Sequence, residues 1–260
     1  MGVSLFVHSV RLVLGDWRNA LKISGLLYLI YAIPALIFAL LFPVPTQPEQ
    51  ALAALGSGGF LGLITLILAI VAFVWIAVAW HRYVLLDEMP AGQFPEFNRS
   101  RLLSYGGYSL LIGAIGFAVM IVVGAIIGFI ALAAQGMILI TIIAGLLGLI
   151  ALLIVSYRLA PILPATAVDK PLTLRQAWDA TNNANTAIIV LAILSAIAAL
   201  IIDIPAFILA SAGPLAFLGV LWSLATGWVK MIVGVSILTT LYGHYIEGRA
   251  IPSATAGANT

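Results

Sequence analysis

Residues 156–185, SYRLAPILPATAVDKPLTLRQAWDATNNAN, decide how this chain is read, because they form the longest interruption between two hydrophobic runs. Arg158, Asp169, Lys170, Arg175 and Asp179 all stand in this stretch, in a chain with only 8% charged residues. A soluble domain carries roughly 25%. A water-facing surface of ordinary composition therefore cannot be built from a chain that is 63% hydrophobic with a mean hydropathy of +1.21. Several runs reach the roughly 20 apolar residues that cross about 30 Å of hydrocarbon. The stretch is then an elbow between two membrane-spanning helices, and the class is all-α and polytopic. Thr173 and Gln176 have capping-box spacing just after Pro171, so a short helix should begin there and end at Asn182–Asn183.

Working outward, the apolar runs place spans at about 21–42, 59–80, 107–133, 137–157, 186–210 and 215–243, one domain over 1–250. A small, polar tail over 251–260 is expected to be disordered. Residues 4–18 alternate with helical period, putting Phe6, Val10, Val13, Leu14 and Trp17 on one face and His8, Arg11 and Arg18 on another. They predict an amphipathic helix on the membrane surface, ended by a left-handed Gly15, with Asp16 capping the first span. No removable signal peptide is expected. MGVSLF has Gly2 after Met1 but Phe6 where a myristoylation site carries Ser or Thr, so it reads as an ordinary start. A Pro-rich loop over 43–58 and tight turns near Gln135–Gly136 and Gly213–Pro214 join the pairs.

Of eleven Lys and Arg residues, all but Lys230 fall in the N-terminal segment, the 81–105 loop, the elbow or the C-terminal tail. The alternate loops, around 43–58, 134–136 and 211–214, have none. Short loops rich in Lys and Arg stay in the cytoplasm, so both termini are placed there, and six crossings satisfy the pattern without exception. A net charge of +2 gives no argument for nucleic acid as a partner, and with no cysteine there is no disulfide or thiolate chemistry. The expected partners are the lipid bilayer and other membrane proteins.

Residues 5–30 align without gaps on 172–197, with Leu5 on Leu172, His8 on Arg175, Gly15 on Asn182 and Ala20 on Ala187. The middle loop fits the same frame through Arg99 and Gly106. The three helix exits, AWHRYVLLDEMP, SYRLAPILPATAVDKP and YGHYIEGRAIP, share an aromatic beside a basic residue, then an acid, then a proline. A triplication and a shared topology both account for this. Either way, three helix pairs are expected, each preceded by a short cytoplasmic amphipathic helix.

Val168, Asp169, Pro171, Ala177, Trp178 and Asn182–Asn183 form a valine–acid–x–proline element, a short amphipathic helix and an Asn-containing break. This resembles bacterial integral membrane proteins related to the membrane domain of glycerophosphoryl diester phosphodiesterase. The resemblance implies a six-span domain of a bacterial inner membrane without the catalytic barrel, and it carries no activity across.

Asp203 and Lys230 are the candidate intramembrane pair or relay, since a charge at bilayer depth costs about 2.5–3.5 kcal/mol on insertion scales. Both lie on stripes of small residues, which predict that they point into the bundle. Counted from Gly213, they are offset by roughly 10 Å along their helices. Arg82 and Arg158, each following an aromatic at a helix end, are candidates for lipid headgroup contacts. His8, His81 and His244 read as interfacial rings, and Asp87–Glu88 as solvated surface. Gly58–Gly62 and Gly124–Gly128 read as helix-packing seams. Catalytic, cofactor and metal sites are not expected, since no phosphate loop, no nucleophile elbow and no converging histidine spacing is present. The functional expectation is a non-enzymatic accessory, assembly or membrane-organising protein. The alternative is a solute, lipid or ion transporter working through Asp203 and Lys230.

Overall fold

The computed structural model describes residues 1–41, 48–133, 138–210 and 213–251. In chain order the helices are α1 (Gly2–Leu14), α2 (Trp17–Leu41), α3 (Pro48–Leu86), α4 (Arg99–Ala133), α5 (Ile138–Leu159), α6 (Ile162–Ala167), α7 (Leu174–Ala180), α8 (Asn185–Ala210) and α9 (Ala216–Tyr245). Six segments are long and apolar enough to span a bilayer: 17–38, 59–86, 99–133, 138–167, 182–209 and 216–245. The chain is therefore an all-α, polytopic membrane protein. The expected turn near Gln135–Gly136 and the tail over 252–260 lie outside the described residues.

Pro48 opens α3, in the first turn where a missing N–H costs nothing, so residues 48–58 of the expected loop are helix instead. At the other end α3 runs on through WHRYVLL to Leu86. Residues 99–105, expected as a separate surface helix, are the first turns of α4 and bury Leu102 and Tyr105. Gly106 does not end a helix because its backbone simply continues the α4 hydrogen-bond ladder.

α1 also differs from its sequence reading. Its buried face is Gly2, Leu5, Ser9 and Val13, set against α8 and α9; of the expected apolar stripe only Val13 is fully buried, and Leu14 and Trp17 are exposed. Gly15 stays right-handed (φ −70°, ψ −25°), so no left-handed cap ends the helix. The Asp16 carboxylate accepts from Asn19 Nδ2 at 3.0 Å and from the Tyr83 hydroxyl, which ties the α1–α2 corner to α3. Gly2 matters for this docking: a Cβ there would lie 2.5 Å from the Ala187 carbonyl oxygen and 2.7 Å from Val190 Cβ. Gly2→Val should push α1 off α8 and lower the unfolding free energy in detergent by about 1–3 kcal/mol, the usual range for overpacking. An unchanged midpoint would mean that α1 is not docked there.

The elbow holds a helix that its sequence hides. Pro161 and Pro164 cannot donate the amides that would continue α5. The chain restarts instead as α6, and all six of its residues are buried against α3, α4 and α9. The short helix at Thr173 forms as expected, with both halves of the capping box made and Thr181 as C-cap.

Chain alternation and ion pairs put residues 82–101, 158–185 and 244–251 together at one end of the bundle, here the charged end. The core lies almost entirely in that half. Trp80, His81, Tyr105, Ile188, Leu191, Leu241 and Tyr242 are sealed there. Toward the other end, the far end, Phe60, Phe129, Leu132 and Phe207 are 75–84% exposed. Large apolar side chains there are exposed all round their helices, as at Leu61, Leu63, Ile64, Leu66 and Ile67 of α3. The helices are packed at the charged end and open at the far end.

Candidate functional site

Lys230 Nζ lies 2.5 Å from Asp203 Oδ1. Helical side chains lean toward the N-terminus of their own helix. α8 and α9 are antiparallel, so Asp203 leans toward the charged end and Lys230 toward the far end. The two lean toward each other along the axis, which closes the expected offset. The expectation that both point into the bundle is corrected. Lys230 is 36% and Asp203 50% exposed, because the far halves of the helices do not close around them. Next to the pair, Trp222 Nε1 donates to the Ile202 carbonyl at 2.7 Å.

α9 is the spine of the polar network. Tyr28 donates to the Leu224 carbonyl at 2.8 Å, Trp228 Nε1 to Ser24 Oγ at 2.8 Å, and Trp80 Nε1 to Ser236 Oγ at 2.7 Å. Ser9 donates to Thr240 Oγ1 at 2.9 Å. His81, expected as an interfacial ring, is fully buried between Thr239 Oγ1 at 2.8 Å and the Tyr105 hydroxyl at 3.1 Å. A polar group without a partner at this depth costs several kcal/mol, so these bonds fix which faces of α1, α2 and α3 meet α9 and which face of α4 meets α3. Sequence reasoning missed the network because its residues are ordinary hydroxyls and indoles. The recurrence of Ser236, Thr239 and Thr240 on one apolar helix was the available signal.

At the charged end, Arg82 donates twice to Glu88 (2.6 and 2.5 Å), once to Asp169 (3.0 Å) and once to the Ala167 carbonyl (2.9 Å). Arg101 donates twice to the same Asp169, at 3.1 and 2.8 Å. Arg249 donates to Glu247 and to the Leu85 carbonyl, and Lys170 lies 3.7 Å from Glu247. Three loops far apart in sequence are thereby joined. Of the two headgroup candidates, Arg82 has every guanidinium nitrogen engaged by protein. Arg158 is only 9% exposed, stacked over Trp178 at 4.7 Å with Nη1 3.5 Å from the Thr181 carbonyl oxygen. Both guanidinium groups pack against protein groups.

Asp169 sits at φ 60°, a left-handed conformation that Asp and Asn tolerate better than other side-chain-bearing residues. The bonds from Arg101, with the nearby Arg82 charge, hold its carboxyl below the usual carboxylate range, against a smaller opposing effect of burial. A carboxyl whose folded pKa is depressed stabilises fully above its unfolded value. That stability should fade as pH falls through the ordinary aspartate range near 4 and below. Asp169→Asn keeps the backbone and should lower stability at pH 7 by about 1 kcal/mol or less, since the group is largely exposed. Asp169→Ala should add about 1–2 kcal/mol of left-handed strain. Thermal unfolding in detergent at pH 7 and in acid checks both, and the asparagine variant should lose part of the acid sensitivity.

The described cavities are apolar grooves or charged-end clefts. No group of three or more His, Asp or Glu is placed to hold a metal ion among the described residues. Gly62 approaches Phe38 as a packing seam would, but Gly124 and Gly128 face open space. The close α4–α5 contacts fall instead at Gly116, against Leu152, and at Gly148, against Val123. Searched against family models, curated proteins and solved structures, the chain matches none. By length and composition, its helices make it an integral membrane protein with six candidate spans, in contact with the lipid bilayer.

Proposed function

We propose that the chain is a non-enzymatic, multi-pass protein of a bacterial inner membrane that organises or assists other membrane components, with its charged end and both termini in the cytoplasm. The orientation follows from the Lys and Arg distribution. The reading as three helix pairs rests on the alignment of 5–30 with 172–197 and on the three similar helix exits, with a short helix of its own before the first pair and the third but not before α4. The relation to the glycerophosphoryl diester phosphodiesterase membrane-domain group rests on the elbow residues. Those residues have structural work here: Val168 ends α6, Asp169 joins two arginines, Ala177 is fully buried and Trp178 carries Arg158. The observation that carries the functional reading is the use of the polar groups. The buried indoles, hydroxyls and imidazole described above tie helix to helix, while an apolar, open half is offered to the membrane.

One observation favours a second reading, a lipid or ion transporter working through Asp203 and Lys230: the pair is half-exposed rather than enclosed. Quantitative membrane proteomes with and without the chain, set beside flux assays of the purified protein in vesicles, separate the two. The first reading expects a defined set of other membrane proteins to fall in abundance, restoration by Asp203→Asn, and no flux. Flux that Asp203→Asn abolishes, with an unchanged proteome, would overturn it in favour of transport.

A further inference from the structure

At the far end, α2, α8 and α9 leave between them a groove of about 520 Å³. Its walls combine small side chains, Ala32 and Ala35 of α2, Ala206 of α8, and Gly219 and Ser223 of α9, with the aliphatic Leu36, Val220 and Leu224. It begins at Ala216, the first residue of α9, and reaches Leu224, about 12 Å deeper at ~1.5 Å per residue. Its floor is Tyr28 and Tyr31, packed edge-to-face with centroids 5.1 Å apart. Both hydroxyls are engaged, Tyr28 with the Leu224 carbonyl and Tyr31 with Met231 Sδ at 3.8 Å, so neither is left free to hold a polar occupant.

Three occupants compete for such a space: water, a helix or a hydrocarbon chain. A bound water needs about 2–4 polar partners, and the lining is almost wholly apolar. A helix about 10 Å across would fill 520 Å³ in under ~7 Å of its length, little more than one turn. A groove of this volume is within the ~300–1,000 Å³ of small-molecule sites. One narrow, flexible chain fits inside it, whereas a helix would seat only partly. The groove lies between spanning helices and starts at their far ends, so the medium at its mouth is the far leaflet. We propose that it holds one acyl chain of a bilayer phospholipid, with the headgroup at the far-end surface and the chain end resting on Tyr28 and Tyr31. Ala206 of α8 makes the side wall.

This inference does not depend on the accessory or transport reading. Its test is purified full chain in vesicles of phosphatidylethanolamine and phosphatidylglycerol, doped with a phosphatidylglycerol carrying a diazirine at one acyl-chain end. After photolysis, peptides containing Tyr28–Leu36 and Leu221–Leu224 should be labelled several-fold more than the outward-facing peptide around Phe129. Ala206→Trp, which plugs the groove, should bring their labelling down to that of the Phe129 peptide. Ala35→Phe should do the same and serves where the tryptophan variant does not fold. Equal labelling of groove and Phe129 peptides in the unsubstituted chain would overturn the proposal. So would groove labelling that survives in a folded, plugged variant, or a crosslink there to protein instead of lipid.

Discussion

Lys230→Met should destabilise the protein by about 2.5–3.5 kcal/mol, the cost of leaving a carboxylate without its cation at bilayer depth. That corresponds to roughly a hundredfold loss in the folded-to-unfolded ratio. The short Asp203 side chain cannot reach an interface from its position two turns inside α8. Lysine has a long stem that snorkels toward the surface, so Asp203→Asn alone should cost less. In the double variant no unpaired charge remains, and most of the loss should be recovered. The measurement is a double-mutant cycle on unfolding midpoints in detergent, with membrane abundance alongside. Near-additive losses, or wild-type midpoints in both single variants, would mean the 2.5 Å contact contributes nothing to stability.

Trp80→Ala should be at least as damaging. Trp80 is fully buried in the charged-end core and donates to Ser236 Oγ. Removing a buried tryptophan side chain costs about 3–5 kcal/mol, through lost contacts and the cavity left behind. Trp80→Phe keeps most of the volume but leaves the Ser236 hydroxyl without its donor, at about 1–3 kcal/mol. Phe207→Ala, at 84% exposure in the far half, should change the midpoint little. This ordering tests whether the core is confined to the charged end. A far-end substitution as costly as Trp80→Ala would refute that layout.

The spans were legible because apolar length alone sets them, and each long helix overlaps the run expected for it. Thr173 and Gln176 were legible because a capping box is a local contact between neighbours in sequence. α6 was not, because Pro161 before it and Pro164 within it look like a loop, and only packing against α3, α4 and α9 makes ILPATA helical and buried. The α1 face was misread for a related reason. In a membrane protein, apolar side chains face lipid as readily as protein, so Gly2 and Ser9, small enough for close approach, mark the buried side better than Phe6 or Trp17. Asp203 and Lys230 stood out as charges in apolar runs, but their exposure depends on how far the helices splay. The indole and hydroxyl ties along α9 follow from helix rotation, which no linear pattern records.

The absence of cysteine leaves a clean background for single-cysteine labelling, which tests the threading of the chain most directly. Gly92→Cys lies between α3 and α4 with open space around its Cβ, Asn183→Cys is exposed in the elbow, and Leu215→Cys is exposed between α8 and α9. A membrane-impermeant maleimide applied to intact cells should modify Leu215→Cys at once, and the other two only after permeabilisation. Labelling of Gly92→Cys and Asn183→Cys from opposite faces, or of Leu215→Cys from the same face as either, would contradict six crossings with the charged end inside.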